Sequence, residues 1–125
     1  MPKILIADDE ANIRQLLRQT LEELEDEGVE ILTAENGKQA LQIIQEKKPD
    51  LVLLDVMMPF INGYDVCKTV KKTDPVHGVT VIILTAKGQE IDRISSKVVG
   101  ADYYINKPFS PSYVLLKARE ILKLP

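Results

Sequence analysis

Several short apolar runs in this chain end in residues that can do chemistry. Ile4-Leu5-Ile6-Ala7 is followed by Asp8-Asp9-Glu10, and Leu51-Val52-Leu53-Leu54 by Asp55. Val81-Ile82-Ile83-Leu84 leads into Thr85-Ala86, and Tyr103-Tyr104-Ile105-Asn106 into Lys107-Pro108. If those ends meet, acidic side chains gather with a hydroxyl and a lysine. Clustered carboxylates repel one another unless a cation neutralises them. His77 falls in a loop beside Pro75 and Gly78, and Cys67 on an apolar helix face, so the donors are oxygens. Oxygen donors select a hard ion such as Mg²⁺ over zinc. Lys107 offers a point charge to phosphate oxygens and Thr85 a hydrogen-bond donor, while an Asp can itself be the nucleophile that takes a phosphoryl group. The residue types point to phosphoryl transfer onto a carboxylate.

The runs must be strands for this to hold. Continuous apolar segments rich in β-branched residues and Leu suit strands buried on both faces, as in a parallel sheet covered by helices. Val29-Glu30-Ile31-Leu32-Thr33-Ala34 alternates more and suits an edge strand, and Tyr103–Asn106 is a short fifth. Between them run helical patterns. Ile13, Leu16, Leu17, Thr20, Leu21 and Leu24 share one face; Ala40, Leu41 and Ile44 follow Asn36-Gly37; Val66, Cys67 and Val70 follow Gly63. Ile91, Ile94 and Val98 precede Gly100, and Val114, Leu115, Ala118, Ile121 and Leu122 follow Pro111. Lys48-Pro49 ends the second helix before the central strand, and Gly100 suits a helix C′ position. Five strands alternating with helices predict a doubly wound α/β sheet. Ligands of such a sheet bind beyond the carboxyl ends of the strands, where the acids, Thr85 and Lys107 fall.

Composition narrows the class. The chain has 125 residues, 45% hydrophobic and 28% charged, enough for one domain, residues 1–125, with a buried core. No run approaches the roughly 18 apolar residues of a spanning helix, and Met1-Pro2-Lys3 opens on a strand instead of a signal peptide. A net charge of -3 leaves no basic footprint for direct nucleic-acid binding. The single cysteine cannot close an internal disulfide, so a reducing, cytoplasmic setting is expected. The acidic run Glu22-Glu23-Leu24-Glu25-Asp26-Glu27 opposes the dipole of the first helix and reads as a solvated helix end.

The motifs resemble those of receiver domains of two-component response regulators. The matching residues are Asp8-Asp9, Asp55 in Asp55-Val56-Met57-Met58-Pro59 with Gly63 beyond, Thr85-Ala86, and Lys107-Pro108-Phe109. They come in the family's order and span Lys3 to about Leu122. The resemblance implies a flavodoxin-like five-stranded parallel sheet in the order 2-1-3-4-5, of which receivers are a stock example. It implies that Asp55 is the phosphoacceptor and that Asp9, Asp55 and the Met57 carbonyl hold Mg²⁺, with Asp8 acting through metal-bound water. Lys107 would pair with Asp55 and then touch the phosphoryl group. Thr85 and the Ala86 N–H would bind a phosphoryl oxygen, with Tyr104 turning inward as the switch aromatic. The Lys107-Pro108 bond would be cis. Implied partners are a sensor histidine kinase or phosphotransfer protein upstream, and a protein target or fused output domain downstream. The family's usual dimer face carries ion pairs, but Tyr103 and Tyr113 stand at the acidic positions and only Lys117 remains. A monomer or weak dimer is expected, and the Met1 start fits an N-terminal position in a longer regulator.

Blander roles exist for each residue taken singly. Asp8, Asp9 or Glu10 could cap a helix, Thr85 likewise, and Lys107 could be a surface lysine. Asp55 at the end of a buried strand is harder to explain unless paired or metal-bound. Met57 and Met58 read as packing residues, Cys67 as an inert core thiol, and Phe60 as a bulky residue bearing on access to Asp55. Three other protein classes share some of these features. A nucleotide-binding protein of the same fold would need a Gly-rich phosphate loop where Asp8-Asp9-Glu10 stands. An Asp-nucleophile phosphohydrolase would commonly carry a second Asp at the position of Met57. A receiver fold used only for protein interaction would not need the full set of site residues.

Overall fold

The computed structural model describes residues 1–73, 78–86 and 100–124, with the backbone alone at Thr73 and Ala86. The helix expected over Ile91, Ile94 and Val98, and the loop histidine His77, lie outside the described residues. Five strands, β1 (Lys3–Ala7), β2 (Glu30–Ala34), β3 (Leu51–Asp55), β4 (Thr80–Ala86) and β5 (Tyr103–Lys107), form one sheet in the order β2-β1-β3-β4-β5. Every pairing is parallel. The described helices are α1 (Ala11–Thr20), α2 (Glu22–Glu25), α3 (Gly37–Lys47), α4 (Gly63–Thr73) and α5 (Pro111–Leu122).

Alternation along the strands divides the core in two. Leu5, Ala7, Val52, Leu54, Val81 and Ile83 pack with Ala40 and Ile44 of α3 and Val66, Cys67 and Val70 of α4. Ile4, Ile6, Leu51, Leu53, Ile82 and Leu84 face the other way, onto Leu17 of α1 and Val114 and Ala118 of α5. Covered on both faces, the central strands can be apolar throughout. Burial pushes the Cys67 thiol up to about 11, so it sits in the core as a small hydrophobe.

Polar side chains fix where helices begin. Asn36 Oδ1 accepts from the N–H of Gln39 at 2.8 Å, and Asn62 Oδ1 from that of Asp65 at 2.9 Å. Ser110 Oγ accepts from Tyr113 N–H at 3.4 Å, with Pro111 in the first turn. Helix α3 ends at Lys47, and Lys48 takes a left-handed conformation ahead of Pro49. At the amino end of β4, Asp102 Oδ2 accepts from Val81 N–H and from Lys71 Nζ, both at 2.8 Å.

The first helix differs from its sequence pattern. It divides at Leu21 (φ -97°, ψ 3°) into α1 and α2. Thr20 donates its hydroxyl to the Leu16 carbonyl at 2.8 Å, a back-bond that bends helices. The Leu24 N–H then bonds Leu21 O at 2.9 Å, a three-residue turn. The acidic run is also not merely solvated. Arg119 of α5 reaches across to Glu23 and to Glu27, bonding the latter at 2.6 and 3.0 Å. Those bonds, Glu27 first, raise the Arg119 pKa and lower that of Glu27. The cluster is solvent-facing, so its contribution to stability is small.

Among the described residues no helix is long and apolar enough to cross a membrane.

Candidate functional site

Register alone brings the chemical residues to one edge. Ala7 lies opposite Leu54, so Asp8 follows beside Asp55; Asp55 pairs with Leu84, so Thr85 comes next; Ala86 pairs with Lys107. Asp8 and Thr85 are buried and Asp55 is 5% exposed, whereas Asp9 and Glu10 face solvent. A cleft of about 230 Å³ opens there, lined by Asp9, Glu10, Asp55, Val56, Met57, Leu84 and Lys107.

Lys107 bridges the two buried acids. Its Nζ donates to Asp55 Oδ1 at 2.7 Å and to Asp8 Oδ2 at 3.1 Å. The bond from Lys107 to Pro108 is cis. Burial pushes the Asp55 carboxyl up to about 6, against the hydrogen bond from Lys107 and helped by the charge of Asp8. Burial would lower the Lys107 pKa, but its bond to Asp55 and the charges of Asp55 and Asp8 outweigh this and hold it above its ordinary value. Asp55 is thus held up first by burial and then by its acidic neighbour, while those same acids keep the proton on Lys107. One lysine does not balance these acids.

A hard cation fits that imbalance. Oxygens of Asp8, Asp9 and Glu10 come within 4.8 Å of one another. The grouping differs from the sequence expectation, because Glu10 joins Asp8 and Asp9 while Asp55, which shares Lys107 with Asp8, is not part of it. Helix capping does not account for the acids. Glu10 is the N-cap of α1, yet its side chain makes no capping bond, and Asp8 Oδ1 accepts from the Glu10 N–H at 2.9 Å.

The segment after Asp55 is held by backbone contact. Gly63 opens α4 against the Asp55 carbonyl so closely that a Cβ there would lie 2.2 Å from that oxygen. Its N–H donates to Val56 O at 2.9 Å. Phe60 has φ 70°, a conformation that costs an L residue about 1–2 kcal/mol. Its side chain is 82% exposed and stands outside the residues lining the cleft, so access to Asp55 is bordered by Met57 instead.

Thr85 donates its hydroxyl to Asn106 Oδ1 at 3.0 Å, a partner that the sequence reading placed in a strand without giving it a role. The register Thr85↔Asn106 was the missing signal. Tyr104 lies two residues earlier on β5, on the same face, half-buried against the core formed with α3 and α4. Arg14 is a second residue missed by sequence reasoning; its Nη1 donates to the backbone carbonyl of Asp8 at 2.7 Å.

Comparison with known proteins finds relatives of the fold and of the sequence. The profile described as response regulator receiver domain matches residues 4–119. A probable transcriptional regulator, ycf27, of Porphyra purpurea is 45% identical over 97% of this chain and 47% of its own length. The phosphate regulon transcriptional regulatory protein PhoB of Pseudomonas aeruginosa is 42% identical over 96% of this chain and 51% of its own. The chain therefore spans about half the length of the curated relatives it matches. Among solved structures, the receiver domain of the Francisella response regulator 1452 superposes with a TM-score of 0.86 at 32% identity, covering 98% of both chains. Chemotaxis protein CheY4 of Vibrio cholerae gives 0.83 at 31%, covering 97% of this chain and 98% of its own.

Proposed function

The chain belongs to the response regulator receiver domain family and is the receiver of a two-component regulator, and from that premise we propose that Asp55 accepts the phosphoryl group in a Mg²⁺-dependent reaction. The observation that carries this reading is the Lys107 bridge, which holds a carboxylate and a phosphate-binding cation 2.7 Å apart at the mouth of an acidic cleft.

Lys107 holds Oδ1 of Asp55, so attack falls to the second oxygen. That oxygen forms a bond to phosphorus as the bond from phosphorus to the donor breaks. With a kinase phosphohistidine as donor, the electron pair returns to the imidazole nitrogen. Little covalent work is asked of the protein, and positioning and charge carry the step. Asp9 and Asp55, the Met57 carbonyl, and Asp8 through water would hold Mg²⁺, which supplies neutralising charge to the phosphoryl oxygens. Lys107 then passes to the new phosphoryl group. Thr85 leaves Asn106 for a phosphoryl oxygen, joined by the Ala86 N–H, and Tyr104 moves into the space behind it. The chain catalyses only its own phosphorylation and dephosphorylation.

The same reading sets the surroundings. The upstream partner is a sensor histidine kinase or phosphotransfer protein in the cytoplasm, and the downstream one an output domain or protein target. Nucleic acid is not bound by this domain itself, whose net charge is -3. The test is intact mass spectrometry after incubation with an acyl or amido phosphate. One added phosphate in Mg²⁺ and none in excess EDTA is the expected result, and metal-independent labelling would refute it.

The exposed face of β5 and α5 carries a further expectation. Tyr103, Tyr113 and Leu116 are 41%, 48% and 59% exposed, and Lys117 Nζ lies 4.7 Å from the Tyr103 ring centroid. A lysine engaged with a tyrosine and with Glu120 at 3.4 Å is poorly placed to lead a cross-subunit ion-pair network. Association through this face should be weak and apolar, anchored on tyrosine. Light scattering with a phosphoryl mimic should find it unchanged by Lys117→Glu; a tight, salt-sensitive dimer broken by that variant would count against this view.

A further inference from the structure

Arg14 is absent from the chemistry above, yet it is bonded into the acidic turn. It sits on α1, half-buried, and reaches back six residues to the Asp8 carbonyl. Asp8 is thereby held at all four of its polar atoms. Its N–H donates to Ala34 O at 3.1 Å. Its Oδ1 accepts from Glu10 N–H at 2.9 Å, its Oδ2 from Lys107 at 3.1 Å, and its carbonyl from Arg14 at 2.7 Å. Of these bonds, the one from Arg14 ties the turn to the body of helix α1. Helix α1 itself starts without a side-chain cap at Glu10.

We propose that Arg14 is a positioning residue that presets the Asp8-Asp9-Glu10 turn for a divalent cation, acting through the Asp8 carbonyl and not on the ion. This rests on the Mg²⁺ reading given above.

Two effects of Arg14 oppose each other. As a positive charge beside the acids it repels an incoming cation, so by charge alone its removal would tighten binding. As a short, charge-assisted bond to the backbone it fixes the direction in which the next residue, Asp9, offers its carboxylate. Without it, Asp8 keeps its bonds to Ala34, Glu10 and Lys107, but the backbone carbonyl that leads into the exposed Asp9 loses its side-chain partner. Partners behind metal ligands typically change metal affinity by about 10–100-fold when removed, and the Arg14 bond is made to the backbone of the turn and not to a carboxylate. Geometry therefore wins, and the two roles differ in the sign of the effect.

Calorimetric titration of the whole chain with Mg²⁺, beside thermal melts in metal-free buffer, separates them. Arg14→Met should bind Mg²⁺ about 10-fold more weakly than wild type, and Arg14→Lys should recover most of the loss. Arg14→Gln, which keeps a neutral donor, should fall between and serves if the Met variant does not fold. Unchanged or tighter Mg²⁺ binding by a folded Met or Gln variant would overturn the proposal. So would a lowered melting temperature with unaltered affinity, which is what a merely structural role gives. A wild-type chain that bound no Mg²⁺ would fail the metal reading itself, and this proposal with it.

Discussion

Asp55→Asn is expected to lose the added phosphate entirely while remaining folded. The amide is nearly isosteric with the carboxylate, and its oxygen can still accept the bond that Lys107 now makes to Asp55 Oδ1 at 2.7 Å. What disappears is the anionic oxygen that must attack phosphorus, because a neutral amide is a poor nucleophile. The other acids of the cleft cannot substitute. Asp8 is fully buried with both carboxylate oxygens engaged, and Asp9 and Glu10 lie in the turn proposed to hold the metal. Intact mass spectrometry and circular dichroism of the same sample make the check. Strong labelling of the folded Asn variant would move the acceptor to another residue.

Lys107→Met should have the second largest effect, on stability as well as on switching. It removes the cation shared by Asp8 and Asp55, two acids with almost no solvent access. Stranding buried charge costs about 3–5 kcal/mol, and the partial exposure of Lys107 places this case near the lower end, at about 3 kcal/mol. If Mg²⁺ is held by Asp9 and Asp55 as proposed, it should still bind and should restore part of the loss, by the linkage of ligand binding to folding. Urea denaturation with and without Mg²⁺ measures both quantities. A variant that lost Mg²⁺ affinity as badly as Asp9→Ala would contradict the separation between the lysine and the metal ligands. Phosphorylation of Lys107→Met without the accompanying change at Thr85 and Tyr104, followed by NMR, is the expected functional phenotype.

Much of this was legible in order and type. Apolar runs of β-branched residues and Leu, separated by helical periodicity, are a one-dimensional record of a sheet buried on both faces, because each strand must be apolar on both sides. Parallel strands place all their carboxyl ends on one edge, so residues that follow the runs, Asp8, Asp55, Thr85 and Lys107, could be assembled on paper. Helix ends were legible where a local rule acts alone, as at Lys48-Pro49.

What required tertiary structure was every choice between partners distant in sequence. Arg119 meets Glu23 and Glu27 across more than ninety positions, and its pattern on α5 gives no hint of them. Thr85 finds Asn106 only through the register of β4 and β5. Lys107 settles between Asp8 and Asp55 because β1, β3, β4 and β5 lie side by side with their carboxyl ends at one edge. Arg14, a half-buried cation on a helix, is drawn to the Asp8 carbonyl by the chain's turn out of β1. Composition, periodicity and spacing act locally and are written along the chain. Hydrogen bonds and ion pairs depend on distances of a few ångströms, and those exist only once the sheet and its helices have closed on one another.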